Sequence, residues 1–223
     1  SLLHGTNLSV YLDKGTNNIA IEGIKEPMAI DYIRFEKESD LMKYADLEKN
    51  YLENNYEWIS GDTIVVQGQD AVLKSDPVLY PVNDRTSPIT THSHYSKIKM
   101  NSIGGYNWRY PGQWITWQFN LEKAGLYKID IRAKQNFTSG NISTRKLYIN
   151  GEIPFYEAQF VEFDFQQNWH IKTLGNEEKD FLFYFNEGEN TITLENSTGN
   201  LSGILRRSEE IVFELNDIYR RIL

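Results

Sequence analysis

The chain has 223 residues, enough for one large domain or two small ones with a real core. Its 31 Asp+Glu against 23 Lys+Arg give a net charge of −8, and no basic stripe exists to neutralise phosphates, which argues against nucleic acid as a partner. No run of about 18 apolar residues is present, so no membrane insertion is expected, and the absence of cysteine removes disulfides, thiolate nucleophiles and zinc–thiolate sites together.

The first pattern along the chain is half of an internal repeat. Tyr11-Leu-Asp-Lys-Gly15-Thr-Asn17-Asn-Ile19-Ala-Ile21-Glu22 matches Tyr184-Phe-Asn-Glu-Gly188-Glu-Asn190-Thr-Ile192-Thr-Leu194-Glu195, with glycine and asparagine in register. Each copy reads as a strand, a tight glycine turn and a second, alternating strand, which is the pattern of a hairpin. The second copy closes a long β-rich stretch, whereas almost nothing precedes the first. Residues 1–36 are therefore expected to be the C-terminal strands of a truncated upstream β-sandwich; the alternative adds this hairpin to the main sheet.

Residues 37–61 change period. Leu41, Tyr44, Leu47, Tyr51 and Leu52 fall near helical spacing behind Ser39 as an N-cap, which predicts a helical linker. Residues 62–200 read as short strands at 63–67, 96–100, 113–120, 125–133, 145–149, 181–185 and 191–195, many separated by Gly or Asn/Asp. After Gly199 the period changes again. Ile204, Leu205, Ile211, Val212, Leu215, Ile218, Tyr219 and Ile222 form an apolar stripe, so residues 201–223 are expected to be a helix that packs on the sandwich or leads onward. The fold class is all-β, an antiparallel sandwich or jelly roll with a helical connector and a C-terminal helix.

Residues 101–119 hold three of the five tryptophans in a run broken by Gly104, Gly105, Pro111 and Gly112. Flat aromatic rings on glycine-rich connections suit sugar: the apolar C–H face of a pyranose stacks on indole or phenol, while its hydroxyls need planar polar partners. A tryptophan-rich core is the competing reading. Alternation from Gln113 assigns Ile115, Trp117 and Phe119 to the core and puts Trp114 at the head of a more polar face. Trp108 and Tyr110 precede the strand, so Trp108, Tyr110 and Trp114 are the candidate stacking platform. Asn107, Arg109, Gln113, Asn136 and Arg145 are candidate hydrogen-bonding partners, of which Asn107, Asn136 and Arg145 are assigned to the ligand.

Catalytic signatures are thin. No nucleophile-elbow, zincin, P-loop or dinucleotide fingerprint occurs. His92-Ser-His94 lacks a visible third metal ligand, and Glu152, Glu157, Glu162 and Asp164 form no evident acid/base pair. Asp84-Arg85-Thr86-Ser87-Pro88 reads as a turn held by side-chain hydrogen bonds. No enzyme is expected.

At Val66-Gln67-Gly68-Gln69-Asp70-Ala71, at the repeated Tyr-x-x-x-Gly-x-Asn-x-Ile pattern and at Ile30-Asp31-Tyr32-Ile33, the chain resembles the galactose-binding-like carbohydrate-binding modules of families six and thirty-five. Ile103-Gly-Gly-Tyr-Asn-Trp, Pro111-Gly-Gln-Trp-Ile-Thr-Trp, Arg145-Lys-Leu-Tyr-Ile-Asn-Gly-Glu-Ile-Pro-Phe and Glu214-Leu-Asn-Asp-Ile-Tyr are similar to the N-terminal region of large Gram-positive extracellular solute-binding proteins of sugar ABC transporters. The resemblance implies a bacterial, extracellular or cell-surface, non-catalytic module that binds carbohydrate. It also implies a link, through fused domains, to an ABC transporter component. No cofactor is expected: the structural calcium of such modules would meet a neutral amide at Gln69 where a glutamate is usual. The alternative function is a structural spacer or docking domain that binds no sugar.

Overall fold

The computed structural model describes residues 12, 14–21, 30, 33, 41–61, 63–87, 100–137, 139–199, 211, 212, 215, 219 and 220. The chain divides into two units, one spanning Thr6–Asp40 and the other holding Leu41–Leu223.

Among the described residues the larger unit has a helix, α1 (Tyr44–Glu53), and the strands β1 (Leu73–Lys74), β2 (Pro81–Val82), β3 (Ser102–Ile103), β4 (Trp114–Leu121), β5 (Gly125–Tyr127), β6 (Asp130–Ala133), β7 (Ser143–Ile149), β8 (Val161–Phe163), β9 (His170–Thr173), β10 (Phe183–Phe185) and β11 (Gly188–Ser197). Every ladder between these strands is antiparallel. One five-stranded sheet runs β1-β4-β11-β7-β8, and the pairs β5–β10, β6–β9 and β2–β3 lie outside it.

Period-two alternation makes this a sandwich. The five-stranded sheet turns Ile115, Trp117, Phe119 and Leu121 of β4, Leu147 and Ile149 of β7, Val161 and Phe163 of β8 and Leu194 of β11 to one side. Phe183 and Phe185 of β10 and Ile131 and Ala133 of β6 meet them from the second layer. The rings of Phe119 and Phe185 cross between the layers edge to face, 5.6 Å between centroids.

α1 belongs to this core. Tyr44 packs against Phe155 and Phe181 at centroid distances of 5.0 and 4.4 Å, and its hydroxyl accepts a hydrogen bond from Leu182 N at 2.9 Å. The helix begins after Lys43, not at Ser39, and Lys43 makes no side-chain cap. Glu157, from the 3-10 turn Tyr156–Gln159, supplies the missing acceptor: its Oε2 takes Tyr44 N at 2.9 Å, placing a carboxylate at the positive end of the helix. Burial of the Tyr51 side chain beside α1's end pushes its hydroxyl up to about 12.

Three expectations need correction. Residues 63–67 form no strand, and Ile64, Val65 and Val66 are exposed; the β-branched run has the propensity but no neighbour, and pairing begins only at β1. β8 and β9 were not anticipated, because each has one or two apolar residues and no turn signal to frame it. The Gly188 motif is not a hairpin. β10 pairs with β5 while β11 pairs with β4 and β7, so Asn186 and Glu187 carry the chain from one layer to the other as an arch.

Asn190 explains why glycine and asparagine recur at that arch. Its side chain is 1% exposed. Nδ2 donates to Asn186 O and Gly188 O at 2.7 and 3.0 Å, and Oδ1 accepts from Asn150 Nδ2 at 3.0 Å. Gly188 sits at φ +87°, which a side chain disfavours. In the first copy, Asn17 Nδ2 donates to Gly15 O at 3.3 Å, with Gly15 at φ +126°. Of residues 1–36, expected to be the closing strands of an upstream sandwich, all but 12, 14–21, 30 and 33 lie outside the described residues. Of the C-terminal stripe, Ile211, Val212, Leu215 and Tyr219 are helical and exposed.

Candidate functional site

The segment between β3 and β4 forms a compact structure at one end of the interior. Gly104, at φ +96°, lets the chain turn into the 3-10 turn Gly105–Asn107, and a Cβ there would lie 2.9 Å from Trp108 Cε3. Trp108 is therefore folded down onto the core, half-buried against Trp117 at 6.4 Å between centroids. Its Nε1 donates to Gln113 O at 3.0 Å. Gln113 is buried: its Oε1 accepts Tyr110 N at 3.0 Å and its Nε2 reaches Asp76 Oδ2 at 3.2 Å.

Arg145 lies beneath this segment. It is 9% exposed, with its guanidinium carbon 4.3 Å from the Trp108 ring centroid. Nη1 donates to Ser143 Oγ, Thr144 O and Asn196 Oδ1 at 2.7–2.9 Å, and Nη2 donates to Trp108 O at 3.3 Å. Burial pushes its pKa down to about 10, which leaves it charged at neutral pH. Arg145, expected among the hydrogen-bonding partners of a ligand, is instead turned inward with Leu147 and Ile149 by the alternation along β7, and internal oxygens accept from its guanidinium.

Exposed aromatics stand above that base. Tyr106 is 60% exposed, Phe137 62% and Tyr110 39%. The Tyr106 and Phe137 rings are 5.8 Å apart although they come from separate loops. Arg109 joins the group, with its guanidinium carbon 4.0 Å from the Tyr106 ring centroid and 4.5 Å from that of Tyr110. Its Nη1 donates to Tyr106 O at 3.0 Å and its Nη2 to Tyr110 Oη at 2.7 Å. Asn136 is exposed next to Phe137, and Asn107 is half-buried at the end of the 3-10 turn.

Trp108, Tyr110, Asn107, Asn136 and Arg145 thus share one region, while Trp114 does not. It opens β4 on the face opposite Ile115 and Trp117, so it points to the outside of the five-stranded sheet while Trp108 packs on the inside. Tyr106 and Phe137 were not singled out from sequence. The available signal was their flanking glycine and Ser/Thr residues, the setting in which an aromatic has no strand to bury it.

The Asp84 turn forms as expected. Asp84 Oδ1 accepts Thr86 N at 2.8 Å and Thr86 Oγ1 at 2.6 Å, and Lys134 pairs with Asp84 Oδ2. Burial pushes the Asp84 carboxyl up, but the hydrogen bonds from Lys134 and Thr86 outweigh it and hold its pKa below the ordinary value. Lys134 and Arg132 also approach the Trp169 ring, at 5.2 and 4.9 Å from its centroid. His92 and His94 lie outside the described residues. No group of three metal-ligating side chains occurs among the described residues.

No protein-family description matches the chain, and no curated protein matches it. Solved structures similar to it include a family 35 carbohydrate binding module from Clostridium thermocellum, with 19% identity over 62% of this chain and 89% of that one and a TM-score of 0.44. Another is a family 35 carbohydrate binding module from an environmental isolate, with 18% identity over 60% of this chain and 80% of that one and a TM-score of 0.35. A third is a cycloisomaltooligosaccharide glucanotransferase from Paenibacillus sp. complexed with cycloisomaltoheptaose, with 20% identity over 70% of this chain, 21% of that chain and a TM-score of 0.39. At these identities and scores, function has to be read from the chain's own residues.

Proposed function

We propose that this chain is a non-catalytic carbohydrate-binding module whose ligand lies on the Tyr106–Arg109–Tyr110–Phe137 surface. The observation that carries the reading is a group of exposed rings, Tyr106 and Tyr110 on either side of the Arg109 guanidinium and Phe137 against Tyr106, beside the stacked Trp108 and Arg145. Exposed rings offer stacking faces to the C–H side of a pyranose, while Arg109 and Asn136 offer donors to its hydroxyls. Trp108 and Arg145 position the loop, and Asn107 borders it. A shallow, wet site of this kind binds in about the micromolar to millimolar range. As part of a larger extracellular or cell-surface bacterial protein, the module would serve glycan capture or sugar uptake and act beside a transporter component fused to it.

The test is affinity electrophoresis of the wild type through gels containing xylan, glucomannan, β-glucan or pectin, with circular dichroism confirming the fold. Retention of the wild type that is lost in Tyr106→Ala/Phe137→Ala supports the reading. Retention unchanged by that pair removes the loop as the site. One observation favours the spacer alternative: Ile64, Val65 and Val66 are exposed in sequence, the kind of apolar stretch a protein partner covers. It is the reading that stands if folded wild type is retained by no glycan.

A further inference from the structure

The turn that ends β7 carries chemistry that the loop site does not use. Asn150-Gly151 is the one Asn-Gly pair in the sequence. Asn150 at φ +51° and Gly151 at φ +86° are the two central residues of a tight turn with the backbone signature of type I′, closed by Ile149 N to Glu152 O at 2.8 Å and Glu152 N to Ile149 O at 3.0 Å. Both central residues are exposed, and a Cβ on Gly151 would meet open space. Glycine thus leaves its peptide nitrogen unshielded beside the Asn150 carboxamide, where water has access.

That carboxamide is also tied to the arch that carries the chain into β11. Asn150 N donates to Thr191 O at 3.0 Å, Asn150 Oδ1 accepts Thr191 N at 2.8 Å, and Nδ2 donates to Asn190 Oδ1 at 3.0 Å. The last bond ends on a side chain that is 1% exposed and whose Oδ1 otherwise accepts from Asn186 N at 3.3 Å.

We infer that Asn150 is a site of spontaneous deamidation, restrained by the closed arch, whose product loosens β11. The Gly151 nitrogen attacks Asn150 Cγ; a new C–N bond forms, the Cγ–Nδ2 bond breaks, and the peptide proton leaves with Nδ2 as ammonia. Water then opens the cyclic imide to aspartate or isoaspartate. To react, the carboxamide swings towards Gly151 and away from Thr191 and Asn190, so the hydrogen bonds to β11 slow the step while the arch is closed. Both products lack the Nδ2 donor and present a carboxylate instead, which leaves the buried Asn190 Oδ1 short of a partner. β11 is flanked by β4 and β7, so loosening at residues 190–191 reaches both ladders. Asn150 thereby turns a reversible opening of the arch into a permanent one, whatever the loop site binds.

The test is peptide mapping by mass spectrometry of the full chain aged at mildly alkaline pH, folded and in urea. Asn150 should deamidate in the folded chain at least about ten-fold more slowly than in urea. Gly188→Ala, which strains the arch at φ +87° without touching Asn150, should narrow that gap. The deamidated fraction of the aged wild type, separated by ion exchange, should show faster amide hydrogen exchange over residues 188–196 and a lower Tm than the intact fraction, and Asn150→Asp should reproduce both. The aged wild type gives its answer whether or not either variant folds. Equal rates in the folded and unfolded chain would overturn the inference, as would a folded chain in which Asn150 stays intact. Unchanged exchange over residues 188–196 in the deamidated fraction would overturn it too.

Discussion

Two groups of aromatic rings in this molecule are built from similar contacts and end in opposite environments. Tyr44, Phe155, Phe181 and Phe183 meet at centroid distances of 4.4–5.4 Å and are all buried. Tyr106 and Phe137 meet at 5.8 Å, with Tyr110 nearby, and all three are exposed. The difference lies in what carries the rings. The first group comes from strand β10, helix α1 and the short segments packed beside them, and its one phenol finds a backbone donor in Leu182. The second rides on loops, and its polar partner is a guanidinium that itself faces water. Aromatic content alone specifies neither core nor site; the backbone behind each ring does.

Breaking the buried group should have the largest effect. Phe183→Ala removes a ring that is fully enclosed and should lower unfolding free energy by about 3–5 kcal/mol, read from the denaturant midpoint. Arg145→Met comes next. It deprives Asn196 Oδ1, Thr144 O and Trp108 O of their donor, at about 1–3 kcal/mol, and should change the tryptophan fluorescence as Trp108 loses its base. A smaller change in Tm would mean that Trp108 holds its place without the guanidinium.

Acid sharpens the comparison at the Asp84 turn. Because the folded-state pKa of Asp84 lies below its ordinary value, the turn adds stability above that ordinary value and loses it as pH falls through the folded one. Thermal unfolding from pH 7 down to pH 3 should show a drop in Tm that Asp84→Asn reduces. An equal drop in both proteins would place the acid sensitivity elsewhere. The smallest effect on stability is expected at the exposed rings: Tyr106→Ala/Phe137→Ala should stay within about 0.5 kcal/mol of wild type while glycan retention disappears. If the pair destabilises as much as Phe183→Ala, those rings are structural.

Much of the architecture was legible in the residue pattern. Alternation over β4 separated Ile115, Trp117 and Phe119 from Trp114, and the structure keeps that division. The longer strands β4, β7 and β11 were readable because each has enough positions to show its period, whereas β8 and β9 do not. The Gly188 motif was read as a hairpin because a tight glycine turn looks the same whether the next strand returns to its own sheet or crosses to the other. Only long-range pairing tells them apart. The site was less legible for the same reason: Tyr106 and Phe137 are distant in sequence, and Trp114, although close in sequence to Trp108 and Tyr110, opens β4 on the face turned away from the core on which Trp108 packs.

The position of β11 has a kinetic consequence. It is the last described strand of the sandwich and the central strand of its sheet, flanked by β4 on one side and β7 on the other. Those two strands pair with each other nowhere among the described ladders, so β1 with β4 and β7 with β8 remain two separate halves until residues 188–197 slot between them. During synthesis on the ribosome the sheet therefore has no way to assemble progressively from the N-terminus. It closes in one late step of high contact order, after a long interval in which the edges of both halves stand open to aggregation or to chaperones.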